Sequence, residues 1–461
     1  MNSLNRMSKV AFILVVVLFL AACATSGKQD AKNSLSNYAQ GDYGQVATNC
    51  ESDLGLLDPE TGAQLVVEPI PDQVLLQLEA AEAFRLSGEH ERSLAHYDAV
   101  EILFRDEDTE GIATGASENF VAVIWNDTAK SYEPTPVERV LANYYKATSY
   151  WAIGNKDGAR VEFNRASDRA QRALERYQSE FKEAQAAADT DGAKAMASHD
   201  ATMNRHFPDA QDWSVYSDFQ NPAVLYVNAL FYQAEGENAR ARDTMRQVRV
   251  KTGKNTVVDS DFLSLDQNRS LTAGGNFVWV LFEAGRSSYL IEKRADLPIP
   301  TGSSVILVSI ALPTVESRHQ EISVGNTTFN GDSVDFVVLA DSEKLIKTEL
   351  SMRYPGILTR SVISATVKGA AQAAAAEQNA WLGLGATLLS AQSTKADTRM
   401  WGMIPNQWLL AKIPVSSGGV LQMPWGEGQV EEIVVPDGES SLILVKQPTM
   451  AAQPSYSIVK I

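Results

Sequence analysis

Four glycines, Gly41, Gly88, Gly154 and Gly236, recur in a stretch from about residue 35 to residue 250 that otherwise reads as helix after helix. Glycine readily adopts the left-handed backbone conformation that a sharp turn between two helices requires. Apolar residues flank each glycine at helical spacing. The pattern therefore predicts a series of antiparallel helical hairpins, each of which turns at one of these glycines.

The residues around the glycines resemble tetratricopeptide repeats, in which small and aromatic residues hold fixed positions around the inter-helix glycine. The fitting residues are Ala81, Phe84, Ser93, Tyr97 and Val100 around Gly88; Ala147, Tyr150, Ala159, Phe163 and Ala166 around Gly154; and Ala229, Tyr232, Ala241, Met245 and Val248 around Gly236. The Gly41 unit fits less well, because Val46 and Cys50 stand where an alanine and an aromatic are expected. The alternative is a generic set of helical hairpins whose alanines and aromatics coincide by chance.

The glycines are 47, 66 and 82 residues apart, whereas tetratricopeptide units repeat about every 34 residues. The array must therefore carry insertions. One is the segment Asp106–Pro136, and another is the charged, alanine-rich segment Arg169–Asp200, which predicts long extended helices.

Stacked repeats of this kind leave a concave groove lined by the first helix of each unit, and binding commonly takes place there. When each unit is aligned on its inter-helix glycine, which we call the repeat frame, the groove-facing residues are Glu82, Arg85, Tyr144, Thr148, Trp151, Tyr226 and Gln233. Tyrosine and tryptophan are favoured interface anchors, so we expect a partner protein in this groove. The alternative is that Tyr144, Trp151 and Tyr226 are packing residues. Cys50 is expected in the core.

After about residue 252 the chain changes to short apolar or alternating runs separated by turn residues, which is typical of strands. The candidate strands are Phe277–Phe282, Ser304–Leu312, Val334–Leu339, Leu409–Val415, Glu431–Val435 and Ser441–Val445. An alanine-rich helical hairpin is predicted at residues 355–395. The predicted fold is α+β: a helical repeat domain at 35–251, then a mostly antiparallel β-rich domain at 252–461 into which the helical hairpin is inserted.

The N-terminus reads as a signal peptide at residues 1–22, since Arg6 and Lys9 precede an apolar run that is short for a membrane span. The run ends in Leu20-Ala21-Ala22-Cys23, which resembles the lipobox of bacterial prolipoproteins. This resemblance implies that Cys23 is acylated, and two or more acyl chains give stable anchoring. Residues 23–34 would then form a lipidated tether. Ala24 after the cysteine implies the outer membrane. The alternative is an ordinary signal peptide or an N-terminal anchor helix.

The mature chain is strongly acidic. Removal of residues 1–22 takes away Arg6 and Lys9, which leaves 38 basic against 57 acidic residues and a formal charge of −19. Such a field repels nucleic acid and anionic surfaces, so membrane contact is expected through the lipid alone. Acylation of Cys23 also leaves Cys50 without a disulfide partner.

A second resemblance rests largely on residues of the C-terminal region. The repeats, the alanine-rich hairpin and the run Ala396–Trp401, followed by Pro405 and Ala411–Pro414, are similar to an uncharacterised family of repeat-bearing lipoproteins from Gram-negative bacteria. The resemblance implies an envelope role near penicillin-binding-protein activators. Arg399 and Trp401 either bind a partner or cap the hairpin onto the sheet, with Asp397 and Arg399 as a local ion pair.

The sequence carries no phosphate-binding loop, zinc-protease helix, nucleophile elbow or paired Cys-x-x-Cys. No cofactor or metal is therefore expected. The favoured hypothesis is a non-enzymatic scaffold or adaptor for unidentified envelope proteins. The alternative is a glycan-processing enzyme whose pair of catalytic carboxylates comes together only in the tertiary structure. Two buried, converging carboxylates in a cleft would favour the enzyme.

Overall fold

The computed structural model describes residues 35–113, 132–187, 218–301, 304–318, 322, 324, 326–354 and 396–461. The predicted signal segment, the tether with Cys23 and Ala24, and the predicted hairpin at 355–395 lie outside these residues. Within the described ranges, no helix has both the length and the apolar composition needed to cross a bilayer.

The helices are α1 (35–40), α2 (Tyr43–Asp53), α3 (Val74–Leu86), α4 (His90–Ala113), α5 (Pro136–Ala152), α6 (Lys156–Ala187), α7 (Pro222–Ala234), α8 (Asn238–Thr252), α9 (Thr256–Asp266) and α10 (342–354). Gly41, Gly88, Gly154 and Gly236 each separate two consecutive helices and have φ angles of +81°, +85°, +79° and +75°. The predicted helical hairpins are confirmed, and each turns at its glycine. Of the long helices predicted at Arg169–Asp200, residues 169–187 are helical and form the second half of α6, and residues 188–200 lie outside the described residues.

Local sequence explains where the helices begin. Thr135 caps α5 in a reciprocal capping box with Glu138, and Pro136 occupies the first turn, where its missing N–H costs nothing. The Asn255 side chain caps α9 by accepting from the Val258 N–H. Helix α9 lies within the region predicted as β-rich, because its cap and the helical spacing of Val258, Phe262 and Leu265 outweigh the short apolar runs around it.

The strands are β1 (Asn276–Ala284), β2 (Tyr289–Thr301), β3 (Ser304–Glu316), β4 (Thr328–Phe329), β5 (Asp332–Ser333), β6 (Val337–Asp341), β7 (Gln407–Val415), β8 (Gly419–Trp425), β9 (Gln429–Val435), β10 (Ser441–Gln447) and β11 (Ser455–Lys460). They form a five-stranded sheet in the order β11-β10-β1-β7-β6, a four-stranded sheet in the order β5-β4-β8-β9 and the separate hairpin β2-β3. All pairings are antiparallel except β1 with β10.

The five-stranded sheet is the middle of three layers. One of its faces packs on the helices through residues such as Trp279, Trp408 and Leu442. The opposite face packs on the four-stranded sheet through Val280 and Ile443. The protein is therefore a mixed α+β fold, with helices in the N-terminal half and antiparallel-rich sheets in the C-terminal half.

Candidate functional site: the face between the helices and the sheet

Six of the seven residues predicted to line a groove are buried inside the molecule. Their exposed fractions are 0% for Glu82, 9% for Arg85, 1% for Tyr144, 2% for Thr148, 5% for Trp151 and 0% for Tyr226. Gln233 is partly buried and donates to the Ser270 hydroxyl at 3.2 Å. The expected open groove is therefore not present at the six buried residues, and the alternative, that the aromatics are packing residues, describes them. Trp151, for example, packs edge-on against Phe163 and Phe231.

An ionic group between the helices and the sheet consists of Glu82 and Arg85 of α3, Glu283 of β1 and Lys446 of β10; we name it the Glu82 cluster. Arg85 donates to both Glu82 oxygens at 2.7 Å. Lys446 Nζ lies 2.6 Å from Glu82 Oε1 and 3.4 Å from Glu283 Oε2. Two carboxylates and two cations balance, so the cluster is buried without net charge.

Neighbouring side chains complete the Glu82 cluster. Tyr145 donates to Glu283 at 3.1 Å, and the Trp408 indole donates to the other Glu283 oxygen at 3.3 Å. Burial alone would raise the pKa of Glu82, but Arg85 and Lys446 hold it below its ordinary value. A small cavity of about 10 Å³ beside the cluster is lined by Arg85, Glu283 and Lys446 and by Ser455 of β11.

A second ionic contact joins α9 to the sheet. Lys412 of β7 lies 2.6 Å from Asp261, whose carboxylate is fully buried. Tyr226 of α7 and the Trp279 indole both donate to the same carboxylate. Burial, reinforced by Asp261, raises the pKa of Tyr226, so its hydroxyl stays protonated and keeps donating.

The motif Ala396–Trp401 forms a third contact with the helices. Trp401 is fully buried, its backbone N–H donates to Glu138 Oε1 at 2.6 Å, and its ring meets Tyr145 edge-on at 5.7 Å. Arg399 Nη2 lies 2.6 Å from Asp397, which is the local ion pair expected from the sequence. The motif thus fixes the chain before β7 onto α5, while the paired side chains of Asp397 and Arg399 remain partly exposed.

Two buried carboxylates, Glu138 and Glu349, converge at the start of α5. Converging buried carboxylates are the feature that would favour the enzyme hypothesis. Glu138 accepts from the Tyr132 hydroxyl and the Thr135 N–H through one oxygen and from Trp401 through the other. Glu349 accepts from the Val137 N–H and from Arg353. Burial raises the pKa of both carboxyls. Because all four oxygens are engaged in capping and pairing, these carboxyls hold α5 and α10 together.

The sequence reasoning missed the sheet residues Glu283, Lys412 and Lys446, although a signal was present. Each is a single charge within an otherwise apolar strand, and a buried charge needs a partner. Cys50 is fully buried as expected, and burial raises the pKa of its thiol. Comparison of the chain with protein-family models, with curated proteins and with solved structures found no match.

Proposed function

We propose that this chain is a periplasmic lipoprotein, anchored to the outer membrane through Cys23, that acts as a protein–protein interaction scaffold in a cell-envelope assembly. The observation that carries the proposal is the signal-like N-terminus ending in Leu20-Ala21-Ala22-Cys23, with Ala24 after it. Membership in the uncharacterised Gram-negative lipoprotein family, with a role linked to peptidoglycan synthesis, belongs to the same proposal.

The helical hairpins of this scaffold would be tetratricopeptide-like repeats. The four left-handed glycines support this, as does the burial of Ala159, Phe163 and Ala166 at the repeat positions of the Gly154 unit. Unlike an open repeat array, this one has its inner face covered by the chain's own sheet. Partner contacts are therefore assigned to another surface.

The outer face of the β8–β9 hairpin is the surface we assign to the partner. Among the described strands, β9 pairs only with β8, so its other edge can accept a further strand. Val430 and Val434 are 51% and 68% exposed, and they stand opposite Pro424 and Val420. These two pairs form an apolar stripe, interrupted by the Gln422–Glu432 pair, on the side of the sheet that faces away from the core.

The charged residues around this stripe indicate which kind of partner would bind. Glu427, Glu432 and Asp437 are exposed on or beside β9. A second copy of the chain would bring these acids together. The occupant we propose is an extended segment of an envelope protein in which basic side chains alternate with apolar ones. Main-chain hydrogen bonds would supply affinity, and the acids would select a basic sequence.

The anchoring is tested by the substitution Cys23→Ser, which removes the thiol that would carry the diacylglyceryl group. Membranes separated on a density gradient should contain the wild-type chain in the outer-membrane fraction, and the variant should leave that fraction. Recovery of the variant from the outer membrane in the same amount as wild type would refute the proposal that the chain is a lipoprotein.

The partner surface is tested by the double substitution Val430→Thr/Val434→Thr, which keeps β-branched side chains but removes the apolar stripe. Reversible crosslinking in intact envelopes should capture fewer partners with this variant than with wild type. Val250→Thr is the matched control, because Val250 is 80% exposed on α8, away from the sheet. Equal capture by the double variant and the control would contradict this surface, and circular dichroism checks that both variants fold.

A further inference from the structure

Two arginines lie at the base of the β2-β3 hairpin. The hairpin's first pair is Tyr289 opposite Glu316. Arg286 precedes this pair by three residues, and Arg318 follows it by two. The Arg318 guanidinium lies over the Tyr289 ring, 4.9 Å from its centre. The backbone therefore brings both arginines to one end of the hairpin.

The charge of one arginine acts on the other. Burial lowers the pKa of Arg318, and the positive charge of Arg286 lowers it further, while only Tyr289 acts in the opposite direction. No carboxylate of a described residue contributes to this balance. Arg318 differs in this from the two lysines between helices and sheet, because Lys446 and Lys412 each contact a carboxylate directly.

Glu343 contacts Ser317 and Ser288, which are close in sequence to Arg318 and Arg286, and its charge is already balanced by another group. Burial would raise the pKa of Glu343, but Lys347, Ser317 and Ser288 lower it to about 2. Lys347 Nζ lies 2.7 Å from one Glu343 oxygen, and Ser288 donates to the other at 2.7 Å. Glu343 is therefore ionised at neutral pH, and its charge is balanced by Lys347.

Hydrogen-bond donors at this edge are left without acceptors. The Arg318 Nε is buried and has no hydrogen-bond partner among the described residues. The Ser342 hydroxyl, next to Glu343, is also buried and without a partner there. A buried donor without an acceptor is costly, so both groups favour an incoming oxygen ligand.

The position within the sheet suits a ligand. Strands β1 and β10 are parallel, and both end here: Ala284 pairs with Gln447, and the Gly285 N–H donates to the Gln447 carbonyl. Ligands of open sheets commonly bind outside the carboxyl ends of parallel strands.

We propose that Arg286 and Arg318 form a binding site for a phosphate group, free or carried by a lipid headgroup. A phosphate group that carries up to two negative charges matches two guanidinium charges. The planar donor fork of arginine fits phosphate oxygens with two parallel hydrogen bonds. This site is separate from the acidic β9 surface and does not depend on acylation at Cys23.

Calorimetric titration of the full-length chain in nonionic detergent with inorganic phosphate tests the site. Wild type should bind phosphate saturably, and sodium chloride at equal ionic strength should not reproduce the signal. Arg318→Gln should weaken binding about tenfold, because a charge-assisted hydrogen bond is lost. Arg318→Lys keeps the charge without the fork and should fall between the two. The control, Arg246→Gln, changes an arginine on α8 whose side chain is 53% exposed and should bind as wild type does.

A second arm identifies the source of the phosphate. Water-soluble dihexanoyl phosphatidylglycerol that competes with phosphate, where dihexanoyl phosphatidylcholine does not, points to an anionic lipid headgroup. Phosphate binding that neither lipid displaces points to a soluble phosphorylated ligand. The site is overturned if wild type does not bind phosphate saturably, or if folded Arg318→Gln and Arg318→Lys variants both bind it as wild type does.

Discussion

The two faces of the five-stranded sheet are built differently. The face toward the helices carries Trp279, Leu281 and Glu283 on β1, Trp408, Leu410 and Lys412 on β7, and Leu442, Leu444 and Lys446 on β10. The face toward the second sheet carries Val278, Val280, Phe282, Leu409, Ala411, Ile443 and Val445. Each of these three strands thus combines a face that bears one charge with a face that is uncharged and mainly apolar.

Because of this difference, we assign the two faces different roles: the apolar face stabilises the packing of the layers, and the charged face fixes their alignment. Apolar burial is non-directional, so the face toward the second sheet holds the layers together without fixing one alignment. The Glu82 cluster and the contact between Lys412 and Asp261 can form in only one register of helices on sheet. Buried ion pairs add little net stability, yet the loss of one partner is strongly destabilising. We therefore infer that the ionic contacts set how the two halves fit together.

The largest effect is expected from Lys446→Met, which leaves Glu82 and Glu283 with Arg85 alone. The free energy of unfolding should fall by about 3–5 kcal/mol at neutral pH, because a buried carboxylate loses its cation. Urea denaturation measures this. Lys254→Met, at an exposed lysine, is the control and should change stability by less than about 0.5 kcal/mol. Equal midpoints for both variants would show that the Glu82 cluster is energetically unimportant.

A smaller effect of opposite sign is expected from Glu79→Gln. Glu79 lies on α3 one turn before Glu82, and burial raises its pKa to about 7. An acid with a raised folded pKa favours folding while protonated, and this advantage is lost as pH rises from the unfolded value of about 4.5 to about 7. The variant should therefore gain up to about 3 kcal/mol at pH 8 and nothing at pH 4.

Glu82→Gln is the matched control for this pH dependence. The pKa of Glu82 is lowered in the folded chain, so its contribution is present above the ordinary carboxyl pKa and is lost as pH falls. The variant should be less stable than wild type at pH 8, and the deficit should shrink in acid. If the two variants shifted stability in the same direction at pH 8, the distinction between a paired and an unpaired buried carboxyl would be wrong.

The smallest effect is expected from Ile443→Val on the apolar face. Ile443 is fully buried, and loss of one methylene there should cost about 0.5–1.5 kcal/mol. Because no charge is involved, the loss should be the same at pH 5 and pH 8. A marked pH dependence of this variant would mean that the two faces are not energetically separate.

The sequence predicted features that depend on near neighbours. The glycine turns, the extended helix after Arg169 and the strands around Val280, Ala411 and Ile443 follow from local periodicity. Strands β2, β4, β5, β8 and β11 were not predicted. Strand β2 carries three successive charges at Glu292–Arg294 and contains Pro298 and Pro300, which obscure the alternation on which strand prediction depends.

The contact between the sheet and the inner face of the helices could not be predicted in the same way. The frame placed Glu82, Arg85 and Tyr226 on one side of the helices, but what lies against that side depends on contacts between distant residues. Glu82 and Lys446 are 364 positions apart. Local patterns contain no information about such pairs, and only the isolated charges in apolar strands indicated that partners were needed.

The central claim, that the chain's own sheet occupies the inner face of the helices, is tested most directly by a double-mutant cycle between Glu82 and Lys446. Urea unfolding of Glu82→Gln, Lys446→Met and the double variant gives their coupling energy. The account predicts a coupling of about 1.5–3 kcal/mol and a double variant more stable than Lys446→Met alone, since Arg85 and Glu283 remain balanced. Effects that add to within about 0.5 kcal/mol would contradict direct contact between α3 and β10.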